Sequence, residues 1–331
     1  MMFKRIFSIA IIVLTIACLL TACGKVKDDD DDDKEKKKGY SVTAEEWKKA
    51  FDFESLDSFT AVAKSQLLSE SFSDSAISVI ATLKYSNGIL LRDETKNERD
   101  GRVETETRYT SNPEEIDMFD TDVFEDFLYG LDSFEDYGYS LATYNKAEQC
   151  YEFTYEHNQD RIYNHKFWFN KQKQLGKVST TIVNGEEILV TGEMTLSKYN
   201  STESLSLPLD EMKALYGEYS TIPDYVYSTY FSINYQGQEY DEAALIESAN
   251  AFLASIVPEN ATRFFKETHD SKTTDLSFFF EPEQPTTFTI YGIDFTYTSL
   301  SIRPSKYDIT IYASNEQGED FNLTFQLVEN F

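Results

Sequence analysis

Histidine and cysteine are scarce, with three of each in 331 residues. That leaves little material for a metal centre built from imidazole and thiolate ligands. Basic residues are outnumbered, 30 against 58 acidic ones, for a formal net charge of −28. A surface so poor in Lys and Arg argues against nucleic acid as a partner, because phosphates have to be neutralised. No apolar run after the first 25 residues is long enough to span a bilayer. Also absent are His-Glu-x-x-His, Gly-x-Ser-x-Gly, a P-loop and the EF-hand spacing. No enzyme and no cofactor are therefore expected. What is present is apolar and aromatic: 41% hydrophobic and 15% aromatic residues. An acidic disordered chain lacks that much apolar surface to offset chain entropy.

The first segment reads as a targeting sequence. Lys4 and Arg5 precede an uncharged, mostly apolar run over residues 6–20, which is shorter than a transmembrane helix needs. The run ends in Leu20-Thr21-Ala22-Cys23. This resembles the lipobox of bacterial lipoproteins, which implies a signal peptide over residues 1–22 and a diacylglyceryl-cysteine at Cys23. The membrane would be engaged by lipid at the extracytoplasmic face of the cell membrane, with each buried acyl CH₂ contributing roughly 0.8 kcal/mol. Cys18 leaves with the signal peptide and Cys23 carries lipid, so Cys150 alone remains and no intramolecular disulfide can form. Its neighbourhood reads as that of a quiet strand thiol.

Residues 23–42 hold six consecutive Asp, Asp28 to Asp33, succeeded by a lysine cluster. Like charges repel and stay hydrated, so this is a flexible charged tether rather than a Ca²⁺ site, whose carboxylates have to converge on one point. The tether is nearly neutral, with 6 basic and 7 acidic residues. The acidity lies in the two longer segments beyond it: residues 43–208 hold 16 basic and 31 acidic, residues 209–331 hold 6 and 20.

Residues 43–208 read as one domain. Thr43-Ala44-Glu45-Glu46 is a capping box ahead of a short helix with Trp47 and Phe51 on one face. Strands come next over 59–68 and 77–85, with Asn87-Gly88 marking a tight hairpin and Asp100-Gly101 a second turn before a strand over 103–110. Asn112-Pro113-Glu114-Glu115 starts an acidic helix with Ile116, Phe119, Val123 and Phe127 on one stripe. The next hairpin sets Tyr151, Phe153, Tyr155 and His157 against Arg161, Tyr163, His165, Phe167 and Phe169, one face aromatic and the other wet. Asn184-Gly185 marks another hairpin, and the segment closes on Ser197-Lys198-Tyr199-Asn200 and Leu207-Pro208.

This order of elements and closing phrase is similar to the LolA/LppX-type lipoprotein domain and related Gram-positive surface lipoproteins. The resemblance implies a curved, unclosed antiparallel sheet wrapped around helices over an apolar groove, used to carry lipids or lipoproteins. It transfers no individual binding residue.

Residues 209–331 read as a smaller α+β domain. Its clearest helix spans 241–257, with Leu245, Ile246, Ala249, Phe252, Leu253 and Ile256 on one face and Pro258 as the stop. Strands are expected over 225–235, 276–281, 286–302 with a break near Gly292, 307–313 and 321–328. The expected fold class is thus α+β: a half-open, barrel-like antiparallel sheet packed on helices, then a two-layer α+β unit.

The candidate ligand groove is the aromatic face carrying Tyr151, Phe153, Tyr155, Tyr163 and Phe167, apolar with hydroxyl tips. The same residues also suit a closed core. The leading expectation is a lipid-anchored protein that binds a lipid or other hydrophobic ligand without chemistry. The alternative is an envelope interaction module that recruits a basic protein partner through its acidic surface.

Overall fold

A computed structural model describes residues 39–53, 55–68, 77–111, 138–158, 161–201, 204–235 and 238–328. The signal segment, Cys23, the hexa-Asp run and the acidic helix expected after Asn112 lie outside the described residues. Residues 40–331 form one compact unit.

The chain enters through α1 (Ala44–Phe51), closed at its start by the expected capping box: Glu46 N donates to Thr43 Oγ1 at 3.2 Å and Thr43 N to Glu46 Oε2 at 2.8 Å. Strands β1 (Ser58–Leu67), β2 (Ser78–Ser86), β3 (Ile89–Asn97) and β4 (Val103–Thr110) form a meander. Asn87 and Gly88 turn the β2–β3 hairpin with φ of 55° and 70°, the positive pair that Asn-Gly supplies. After a helical turn, α2 (Tyr139–Leu141), come β5 (Thr143–Asn145), β6 (Cys150–Asn158), β7 (Arg161–Phe169), β8 (Leu175–Asn184) and β9 (Glu187–Ser197). The β8–β9 turn sits one residue later than expected. Gly185 takes the positive φ, 60°, while Asn184 stays in the ladder opposite Glu187.

The second stretch holds α3 (Leu209–Tyr219), β10 (Ser228–Phe231), α4 (Glu242–Ser255), β11 (Arg263–His269), β12 (Lys272–Phe280), β13 (Thr286–Ile290), β14 (Ile293–Tyr297), β15 (Ser299–Pro304), β16 (Asp308–Ser314) and β17 (Asp320–Gln326). Asp241 caps α4 by accepting from Ala243 N and Ala244 N. The long 286–302 run breaks at Tyr291-Gly292, as its glycine suggests, and again at Thr298.

The expected α+β class is corrected by the pairing. The fold is mostly antiparallel β with few helices, and one open sheet of 15 strands runs β10-β17-β16-β15-β12-β11-β4-β3-β2-β1-β9-β8-β7-β6-β5. β13 and β14 form a separate two-stranded sheet. Among the described residues the large sheet does not close into a barrel, since β10 and β5 are both edges. The physical reason lies in β11. Its sequence, Arg-Phe-Phe-Lys-Glu-Thr-His, has two adjacent phenylalanines and no period-two alternation, so it carries no strand signature. It nonetheless pairs with β4 on one side and β12 on the other, and so fuses two runs of strands that read as separate units.

Two cores result. One gathers Trp47, Phe51, Phe59, Ala61, Leu83, Phe167, Phe169, Val178 and Met194 around α1. The other gathers Met212, Tyr216, Leu245, Phe252, Phe264, Phe278, Ile302, Ile311 and Leu323 around α3 and α4. Register puts them on opposite faces of the sheet. Phe264, Tyr109, Leu91 and Lys84 are successive cross-strand partners, and Lys84 lies beside Leu83 of the first core. Side chains alternate faces along a strand, so the first core is on one side and Phe264 on the other.

Trp47 is fully buried, with ring centroids of Phe51, Tyr151, Phe167 and Phe169 at 5.2, 5.3, 5.5 and 5.2 Å. Trp47→Ala empties the centre of that cluster and is expected to destabilise by about 3–5 kcal/mol, read as a lower urea midpoint. An unchanged midpoint would mean that α1 does not close this core.

Candidate functional site

The β6–β7 hairpin forms in the expected register over most of its length. Tyr151 faces Phe167, Phe153 faces His165 and Tyr155 faces Tyr163. The register then shifts between Glu156 and Asn158, so Asn158 rather than His157 meets Arg161. Along β7, the centroids of Tyr163, His165 and Phe167 repeat every 6.2 and 6.0 Å, the spacing of alternate residues on one strand face.

The five candidate groove residues divide into an inner and an outer group. Tyr151 and Phe167 are buried beneath Trp47. The Tyr151 hydroxyl accepts from Val42 N and donates to Val42 O, both at 2.9 Å, which fastens the chain as it enters α1. Tyr40 N to Phe169 O at 3.0 Å and Lys173 Nζ to Ser41 O at 2.5 Å add to that anchorage. This inner end is packed by the protein's own tryptophan. Phe153 is half-buried, Tyr163 is buried in a small separate cluster with Ile182 and Leu189, and Tyr155 is 38% exposed.

That outer group belongs to a longer apolar row. Tyr155, Tyr163, Ile182, Val190 and Leu67 are successive cross-strand partners over β6, β7, β8, β9 and β1. Ile77 is exposed beside it, with Leu67 N donating to Ile77 O at 3.1 Å, whereas the exposed Ile188 pairs with Val183 and so points to the opposite face. The row is wide, apolar and edged by the Tyr155 hydroxyl, which suits an aliphatic or ring-bearing ligand. The hairpin residues of this row were legible from their alternation. Ile182, Val190 and Leu67 were not, because their strands are neighbours only through the β8–β9 and β9–β1 ladders.

Between the packed end and the apolar row sits His165. It is buried, with Nδ1 2.9 Å from Thr180 Oγ1. Burial lowers its pKa to about 4, so the ring is neutral at pH 7. Cys150 is buried, and burial together with the Glu152 and Glu148 carboxylates pushes its thiol up to about 11, so it is no thiolate nucleophile at neutral pH. A further group missed from sequence is Glu104, Glu267 and His269, brought together where β4 meets β11, with His269 Nε2 2.5 Å from Glu267 Oε1.

His165 yields a pH prediction. Its folded pKa is below the unfolded value of about 6.5, so between pH 6.5 and 4 the unfolded chain binds the extra proton and stability falls as pH falls. The contribution is on the order of 3 kcal/mol, fully lost only near pH 4 and below. His165→Gln is expected to flatten the unfolding midpoint against pH in that window. An identical profile in both proteins would show that His165 does not carry it. Compared with known proteins, the chain matches no family model and no curated protein.

Proposed function

We propose that the chain is a lipid-anchored extracytoplasmic lipoprotein that binds a lipid or other hydrophobic ligand without catalysing a reaction. The anchor rests on Leu20-Thr21-Ala22-Cys23 behind a basic and apolar leader. Acylation at Cys23 with more than one long chain holds such a protein firmly at a membrane. The single observation that carries the binding reading is the apolar row Tyr155–Tyr163–Ile182–Val190–Leu67. It extends the aromatic face past the region that Trp47 packs and leaves Tyr155 and Ile77 exposed next to it.

Support for a non-catalytic role comes from two titratable groups of this hairpin, one on each face. His165 is buried and neutral, and the Cys150 thiol is protonated. The ligand is thus held by apolar contact and the Tyr155 hydroxyl.

Two measurements test this. Metabolic labelling with a palmitate analogue should mark the wild-type chain and not Cys23→Ala; an unlabelled wild type rejects the anchor. Titration of a fluorescent palmitate probe into the wild type should show saturable binding. The pair Tyr155→Asp and Ile77→Asp should weaken it at least tenfold, while Lys177→Ala on the opposite sheet face should leave it unchanged. Absence of saturable binding, or equal loss in all three variants, would overturn the ligand reading.

A further inference from the structure

The two edges of the 15-stranded sheet differ in kind. β5 is three residues long and leads at once into Lys146. Short length and a nearby lysine are what sheets use to blunt an unpaired edge. At the other end β10 forms part of Tyr225-Val226-Tyr227-Ser228-Thr229-Tyr230-Phe231, which contains no Lys, Arg, Pro or Gly.

The backbone of β10 is half used. It pairs with β17 from Ser228↔Gln326 to Phe231↔Leu323, and Ser232 N continues the ladder to Asn322 O at 2.9 Å. That bond sets the phase: Tyr230 and Ser232 turn their amides towards β17. Thr229 and Phe231 therefore turn N–H and C=O outwards, where no strand pairs with them among the described residues.

Tyrosines surround this edge. Tyr225 is 75% exposed and Tyr230 57%, and Tyr227 and Tyr307 are exposed as well. Tyr227 N donates to Gln326 O at 2.7 Å and Leu327 N to Tyr307 O at 2.7 Å, which brings Tyr307 to the same end of the sheet. Tyrosine offers a large, rigid, amphipathic contact at low entropic cost, and its face attracts cations. The charge around it is mostly acidic, with Lys306 the basic residue at hand, its Nζ 5.6 Å from the Tyr307 ring. Residues 209–331 carry 20 acidic against 6 basic residues. Asp224 adjoins the tyrosines, and Asp308 pairs with Gln326, which pairs with Ser228.

We infer that the outer edge of β10 is the docking strand for an extended, cationic polypeptide segment of a partner protein. The segment adds as a further strand. Its backbone pairs with Thr229 and Phe231, and its Lys or Arg side chains lie over the tyrosines and beside Asp224 and Asp308. This surface is separate from the apolar row at the other end of the sheet and does not depend on it.

The test uses the full chain in detergent and two labelled nine-residue peptides with blocked ends, one alternating Lys and Val, the other alternating Glu and Val. Anisotropy should show binding of the Lys-Val peptide that weakens at least fivefold between 50 and 300 mM salt, roughly as expected for exposed charges. The Glu-Val peptide should bind at least tenfold more weakly. Amide exchange over residues 225–232 should slow when the Lys-Val peptide is added. Thr229→Pro removes an outward N–H without touching the β17 ladder and should cost at least tenfold. Tyr230→Ser, at an exposed ring, carries the same expectation should the proline variant fail to fold. Equal binding of both peptides, unchanged exchange at β10, or full binding by the variants would overturn the proposal. Slowed exchange at β10 that depends on protein concentration alone would also overturn it, assigning the edge to a second copy of the chain.

Discussion

Seven residue pairs between β4 and β11 hold the architecture together. They are hydrogen-bonded backbone contacts between segments more than 150 positions apart in sequence, and they turn two meanders into one sheet. The alternation of side chains then does the rest. Phe264 and Phe265 are adjacent on β11 and must point to opposite faces. Phe264 enters the core under α3 and α4, while Arg108 lies over Phe265 on the other face at 5.2 Å. Continuity of the sheet is therefore what places the two cores back to back, one per face.

That arrangement decides where apolar surface can remain. Over the first run of strands, α1 is short, eight residues, and covers only the part of the sheet within reach of Trp47. The aromatic face of β6–β7 is longer than the helix that packs on it. Tyr151 and Phe167 are consumed by that core, Tyr163 and Ile182 are buried in a small separate cluster, and Tyr155 at the margin is left exposed. His165 marks the transition: a polar ring kept neutral by burial, satisfied at Nδ1 by Thr180, with rings on both sides along its strand.

Charge acts mostly on the outside. The ion pairs Lys166–Glu148, Lys166–Glu152 and Lys177–Glu193 lie on partly exposed strand faces, where such pairs contribute little stability. Their effect is to keep one sheet face wet while the other is packed. The excess of carboxylates lacks enough basic partners to be neutralised within the chain, so the surface field is negative and favours cationic approach.

Local signals in the sequence were read well wherever the physics is local. The capping box at Thr43, the Asn87-Gly88 turn, the Asp241–Pro258 helix and the ring-on-ring register of Tyr151, Phe153 and Tyr155 all depend on contacts within a few residues or one hairpin. The composition likewise determined an acidic, aromatic chain. The α+β expectation was overturned because β11 has no period of its own: Lys266, Glu267 and His269 are polar, and its strand character comes from neighbours on both sides. The same holds for the site. Alternation in the hairpin identified an aromatic face, but a strand pattern says only that a face is apolar, not what covers it. Only tertiary structure decided that Trp47 packs the inner half and that Leu67 joins Val190 to extend the outer half, because these neighbours are set by contacts over long sequence distances that no short window of residues contains.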